Sequence, residues 1–213
     1  FSESSGSLEI TPGEYQVRVT NSGTTDVVFD AGTINLTGDA ERQMILVDNA
    51  ANWGAPLKMI RSFGAESLAQ GDVTYGGRLR GLNIDVAEGP LDMLAGPSQT
   101  LIGVALDYGS LSTYVELAGG ILDFLVTPTG DINTPLLEIT DTLEAGNDYT
   151  LVAGSSPDGM IGVLGPDDHR SVATEARIRA IDGINTGEVL NIYLGKELPA
   201  TMPPAYSDGL VRN

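Results

Sequence analysis

The sequence predicts an all-β chain of two β-sandwich repeats, one complete and one divided between the two chain ends. Three observations predict it. Short runs alternate apolar and polar residues, turn-forming clusters separate those runs, and the chain repeats itself out of phase.

The alternating runs come first. Tyr15, Val17 and Val19 fall on one face of Tyr15-Gln16-Val17-Arg18-Val19, and Leu122, Phe124 and Val126 on one face of Leu122–Val126. Arg177–Ile181 and Leu190–Leu194 read the same way. Period two with β-branched and aromatic residues marks half-buried strands. Turn signals lie between them at Thr11-Pro12-Gly13, Asn21-Ser22-Gly23, Thr127–Gly130, Glu144–Asn147, Ser156–Gly159 and Gly165–Asp168. No long amphipathic helix is expected. Many short strands at this spacing point to sandwiches.

The repeat gives the domain organisation. Gly77–Leu82 matches Ala176–Ile181, and Pro90–Gly96 lies without a gap on Val189–Gly195. Val115–Phe124 lies on Leu8–Val17, and the same register carries Thr127 onto Thr20 and Leu143 onto Leu36. Residues 75–173 therefore form a complete repeat. Residues 174–213 hold the opening strands of a second repeat, and residues 1–74 hold its remainder.

A half sandwich exposes strand edges and an uncovered apolar face, so each half must be completed. Three completions are open. The tail of one subunit completes the head of the next, the two ends of one chain close on each other, or the chain is a piece of a longer tandem array. The first is a head-to-tail contact, which gives an open filament when the rotation does not close. Seam residues are expected at Phe1, Leu8, Tyr15, Ile178, Ile192, Tyr206 and Val211, with Phe1 and Tyr206 as aromatic anchors. Relative to the middle repeat, Met202–Gly209 holds an insertion that suits a clasp.

These residues resemble the family catalogued as domain of unknown function 4397. The resemblance rests on Arg78-Leu79-Arg80 through Leu91–Leu94, on Tyr114–Gly120 and on Leu143–Ala153, and is echoed by Arg177-Ile178-Arg179, Asn191–Leu194 and Leu8–Tyr15. It implies tandem immunoglobulin-like or transthyretin-like β-sandwich domains on exported proteins, without an assigned activity. The His-x-Ser-Pro-Asp-Ala-Pro-like stretch usual after the first strand is replaced by Asn83–Pro90 and Asp182–Val189, so no functional residue is carried over.

Composition narrows the function classes. The 213 residues include 29 acidic and 11 basic side chains, a net charge of −18. So negative a surface repels nucleic-acid phosphates and anionic lipid, and no binding to either is expected. No apolar run approaches the roughly 20 residues that span a bilayer. With no cysteine there is no disulfide, thiol nucleophile or thiolate metal site, and His169 is the single histidine. An acidic surface with only Lys58 and Lys196 as lysines suits a salty or extracellular setting. An ordinary acidic bacterial protein is the plain alternative.

Catalytic readings find little. The one base available to a serine nucleophile is His169, in the charged run Asp167–Arg170 expected to be linker. No cofactor is expected. A structural calcium is the one metal considered, with Asp158, Asp167 and Asp168 as candidate ligands and Asp131 and Asp148 in similar turns. Asn35-Leu36-Thr37 forms a glycosylation sequon at Asn35. Trp53 is either a sugar-stacking platform or packing. The function expected is that of a non-enzymatic extracellular subunit, whose partner is itself in a head-to-tail, pilus-like fibre built by strand complementation. The alternative is a cell-surface adhesin or carbohydrate-binding fragment of a tandem array.

Overall fold

The computed structural model describes residues 5–38, 41–49, 55–156 and 158–167. Among them the protein is all-β, as its alternation predicts, with strands and turns and no helix. The strands are β1 (Gly13–Thr20), β2 (Val27–Leu36), β3 (Gln43–Asp48), β4 (Leu57–Phe63), β5 (Glu66–Gln70), β6 (Gly77–Asn83), β7 (Leu91–Ala95), β8 (Thr100–Leu106), β9 (Val115–Leu117), β10 (Gly120–Pro128), β11 (Leu137–Leu143), β12 (Asp148–Ser156) and β13 (Gly159–Asp167). They form sheets of order β1-β2, β3-β4-β5, β11-β10-β7-β8 and β13-β12-β6-β9.

Two compact units result. The first takes the described residues up to Arg78, with Glu116–Gly120 and Leu143–Asp148; the second takes Leu79–Val115, Ile121–Thr142 and the described residues from Tyr149 onward.

In the first unit β1 pairs with β2 antiparallel, with Tyr15 opposite Ile34 and Val19 opposite Phe29. The inner faces of β2 and β4 share a core of Phe29, Ala31, Ile34, Leu36 and Met59, with Tyr15, Val17, Val19 and Leu57 packed against it. β2 reaches this core on both sides of a phase change. Phe29 and Ala31 are odd-numbered, whereas Ile34 and Leu36 are even-numbered. A bulge opposite Val17 explains it: Gln16 pairs with Thr33 but Arg18 with Asp30. Gly32 takes φ +68°, which supplies the turn at little cost for a residue without Cβ.

The second unit is a sandwich of two four-stranded sheets. A Cβ on Gly81 of β6 would lie 2.6 Å from Met93 Sδ of β7, and one on Gly162 of β13 would lie 2.4 Å from Leu137 Cδ2 of β11. The sheets therefore face each other across a closely packed interior. Leu79, Leu91, Met93, Phe124, Val126 and Leu151 are buried there. Such interiors are close-packed, so each missing methyl is felt.

One element departs from expectation. The turn predicted at Gly165–Asp168 is, as far as Asp167, the end of strand β13. β13 lies at a sheet edge, one of the places in a sheet where a proline, having no N–H to donate, is tolerated. Asp167 accordingly does not belong to a solvated linker.

Candidate functional site

Several acidic residues are committed to the fold. Asp30 is buried and accepts from Arg18 Nε at 2.6 Å and Gly32 N at 2.8 Å. Burial pushes its carboxyl up, but the Arg18 side-chain bond, the Gly32 N–H and the Arg18 charge overcome this and hold it below the usual carboxylate range. Burial likewise pushes Asp85 up, and the Ser155 hydroxyl with the N–H groups of Glu88 and Ala87 brings it below the usual range. A general acid working near neutrality needs the opposite shift.

Asp167 stands in a network of side chains. Its Oδ2 accepts from Tyr114 Oη at 2.5 Å and Thr150 Oγ1 at 2.6 Å, and lies 3.4 Å from Arg80 Nη2. The Arg80 guanidinium carbon sits 4.6 Å over the Tyr114 ring. Asp158 lies in the turn before β13, where its N–H donates to Ser156 Oγ at 3.3 Å. Among the described residues no group of three His, Cys, Asp or Glu side chains is placed to hold a metal ion. Asp168, His169 and Trp53 lie outside the described residues.

Asn35 is exposed on β2, and the hydroxyl of Thr37 in the same sequon accepts from Arg42. Of the expected seam residues, Leu8 and Tyr15 are described. Leu8 is 82% exposed. Tyr15 lies on the inner face of β1, its hydroxyl donating to the Thr11 carbonyl at 2.6 Å. Phe1, Ile178, Ile192, Tyr206 and Val211 lie outside the described residues.

The chain matches no family model and no curated protein.

The most telling surface is the inner face of β3. A shift of 107 residues carries Gly13 onto Gly120 and Leu36 onto Leu143, so β1 lies on β10 and β2 on β11. The same shift places β3 on β12, with Met44 on Leu151 and Leu46 on Ala153. In the second unit Leu151 and Ala153 are fully buried, whereas Met44 and Leu46 are each 38% exposed. Sheet order explains the contrast. β10 pairs with β7 and β12 with β6; among the described residues, β1 pairs only with β2 and β3 only with β4. Beside β3 an open cavity of about 470 Å³ is lined by Glu41, Gln43, Ser62 and Gly64.

Sequence reasoning missed Met44 and Leu46, although the repeat that lays them on Leu151 and Ala153 was there to be read. It also missed Asp30 and its bulge, for which the change of apolar phase around Gly32 is the available signal.

Proposed function

We propose that this chain is a non-enzymatic structural subunit that assembles head to tail into an extracellular, pilus-like fibre. Each first unit is completed by strands from a neighbouring copy. The observation that carries this reading is the exposure of Met44 and Leu46 at positions whose counterparts, Leu151 and Ala153, are fully buried. The apolar side chains that would cover them have counterparts in β6 and β7, and by the sequence repeat those counterparts are residues 176–194. Strand addition suits such a site, because main-chain bonds give affinity and alternating side chains fix register. The net charge of −18 suits an exported subunit in a salty medium.

The test is the assembly state of the purified full chain over a wide concentration range, followed by sedimentation and negative-stain microscopy. Rods that lengthen with concentration are expected. A folded, monodisperse monomer at high concentration overturns the reading.

A further inference from the structure

We infer the register of the added strands, and this inference rests on the head-to-tail reading for whose strands they are. The second unit supplies the template. There β10 and β7 pair antiparallel with Val126 opposite Met93 and Thr127 opposite Asp92. The two halves of the repeat translate this ladder residue by residue. Val126 and Thr127 correspond to Val19 and Thr20, while Met93 and Asp92 correspond to Ile192 and Asn191. Residues 190–194 of a second copy, which lie outside the described residues, therefore add to β1 with Ile192 opposite Val19 and Asn191 opposite Thr20.

The other sheet supports the same occupant through charge. Arg78 of β6 pairs with Asp148 of β12 at 2.5 Å, and Arg80 Nε donates to Thr150 Oγ1 at 3.0 Å. The corresponding positions are Arg177 and Arg179 on one side, Glu41 and Gln43 on the other. The guanidinium and the carboxylate are both retained, and an amide that can accept from an arginine replaces the hydroxyl. Glu41 and Gln43 are also two of the four residues that line the open cavity beside β3.

Side-chain reach gives a third agreement. Gly81 has no room for a Cβ, because it would meet Met93 Sδ at 2.6 Å. In the divided repeat the pair becomes Ala180 and Ile192. The added methyl is matched by a side chain that branches near the backbone and reaches less far than methionine.

The experiment uses the full chain, whose lack of cysteine makes any disulfide report on the engineered pair alone. Thr20→Cys with Asn191→Cys is compared with Thr20→Cys with Tyr193→Cys. The first pair is directly opposed, about 4.5–5.5 Å between Cα atoms, and within disulfide reach. The second is diagonal, about 7–8 Å apart, and outside it. After mild oxidation, a ladder of disulfide-linked oligomers from the first variant alone is expected. Disulfides confined to monomers in the first variant alone leave the register standing and overturn assembly between copies. Equal cross-linking in both variants, or none in either, overturns the register. A charge exchange checks the second sheet without cysteine. Glu41→Arg is expected to lower the assembled fraction about tenfold, and adding Arg177→Glu to restore it. Full assembly of the single variant, or failure of the double variant to recover, overturns the pairing of Arg177 with Glu41.

Discussion

Arg18 Nε lies 2.6 Å from Asp30 Oδ2 across the β1-β2 ladder, one residue from the point where that ladder slips. The same carboxylate accepts the Gly32 N–H through its other oxygen. One acid therefore caps the bulge and ties it to the neighbouring strand. The bulge in turn brings Phe29 and Ile34, five positions apart, onto one face. In an unbroken strand of period two they would face opposite ways.

Replacing that acid is expected to loosen the first core. Asp30→Asn removes the charge from a buried site that also accepts from Gln16 Nε2 at 3.4 Å, and should cost about 1–3 kcal/mol in chemical denaturation. The penalty depends on pH. The folded carboxyl sits below its ordinary value, so its contribution is complete above the unfolded value near ~3.9. It is lost as pH falls through the lower folded value. The stability difference between wild type and Asp30→Asn should therefore be constant near neutrality and shrink below about pH 4. A difference that grows on acidification would contradict the assignment.

Asp92 holds strand β8 and the turn after β10 with one side chain. Its oxygens accept the N–H groups of Ala105 at 2.7 Å and Gly130 at 2.9 Å, and Ala105 is held at φ +46°. Asp92→Ala orphans both donors and releases the strained residue. A loss of about 2–3 kcal/mol is expected, or roughly 4–12 °C in Tm. Asp92→Asn keeps one acceptor oxygen and should lose less. Equal melting of the two variants would remove this account.

Gly71 leaves no space for a side chain. A Cβ there would fall 1.9 Å from the Ala145 carbonyl oxygen, which is backbone and cannot rotate away. Gly71→Ala should cost about 1–3 kcal/mol, within the range for overpacked sites. Gly6→Ala meets nothing within 4 Å and should be neutral, which makes it the control. Identical denaturation midpoints would show that the segment yields.

The Arg80–Tyr114–Asp167 network offers a separable test. Tyr114→Phe deletes the bond to Asp167 and keeps the ring under the Arg80 guanidinium. Arg80→Ala deletes the cation and keeps the phenol. Because both side chains meet the Asp167 carboxylate, the double variant should differ from the sum of the singles by about 0.5–3 kcal/mol. Additivity within error would mean that they act independently.

Much of the architecture follows from sequence alone. Alternation at Tyr15–Val19 and Leu122–Val126 places β1 and β10, and the lack of any helical period is matched by strands throughout the described residues. Such patterns are local, because side chains two apart share a face whatever the rest of the chain does. Three features needed the folded chain. Pro166 reads as a turn residue, and only its place at a sheet edge lets it continue β13. Asp167 reads as a linker acid, and only the approach of Tyr114 and Thr150 from other strands makes it a network centre. Met44 and Leu46 lie in a plain run of four apolar residues, and their meaning lies in being exposed where Leu151 and Ala153 are not. Burial is a property of what lies opposite, and partners distant in sequence decide it.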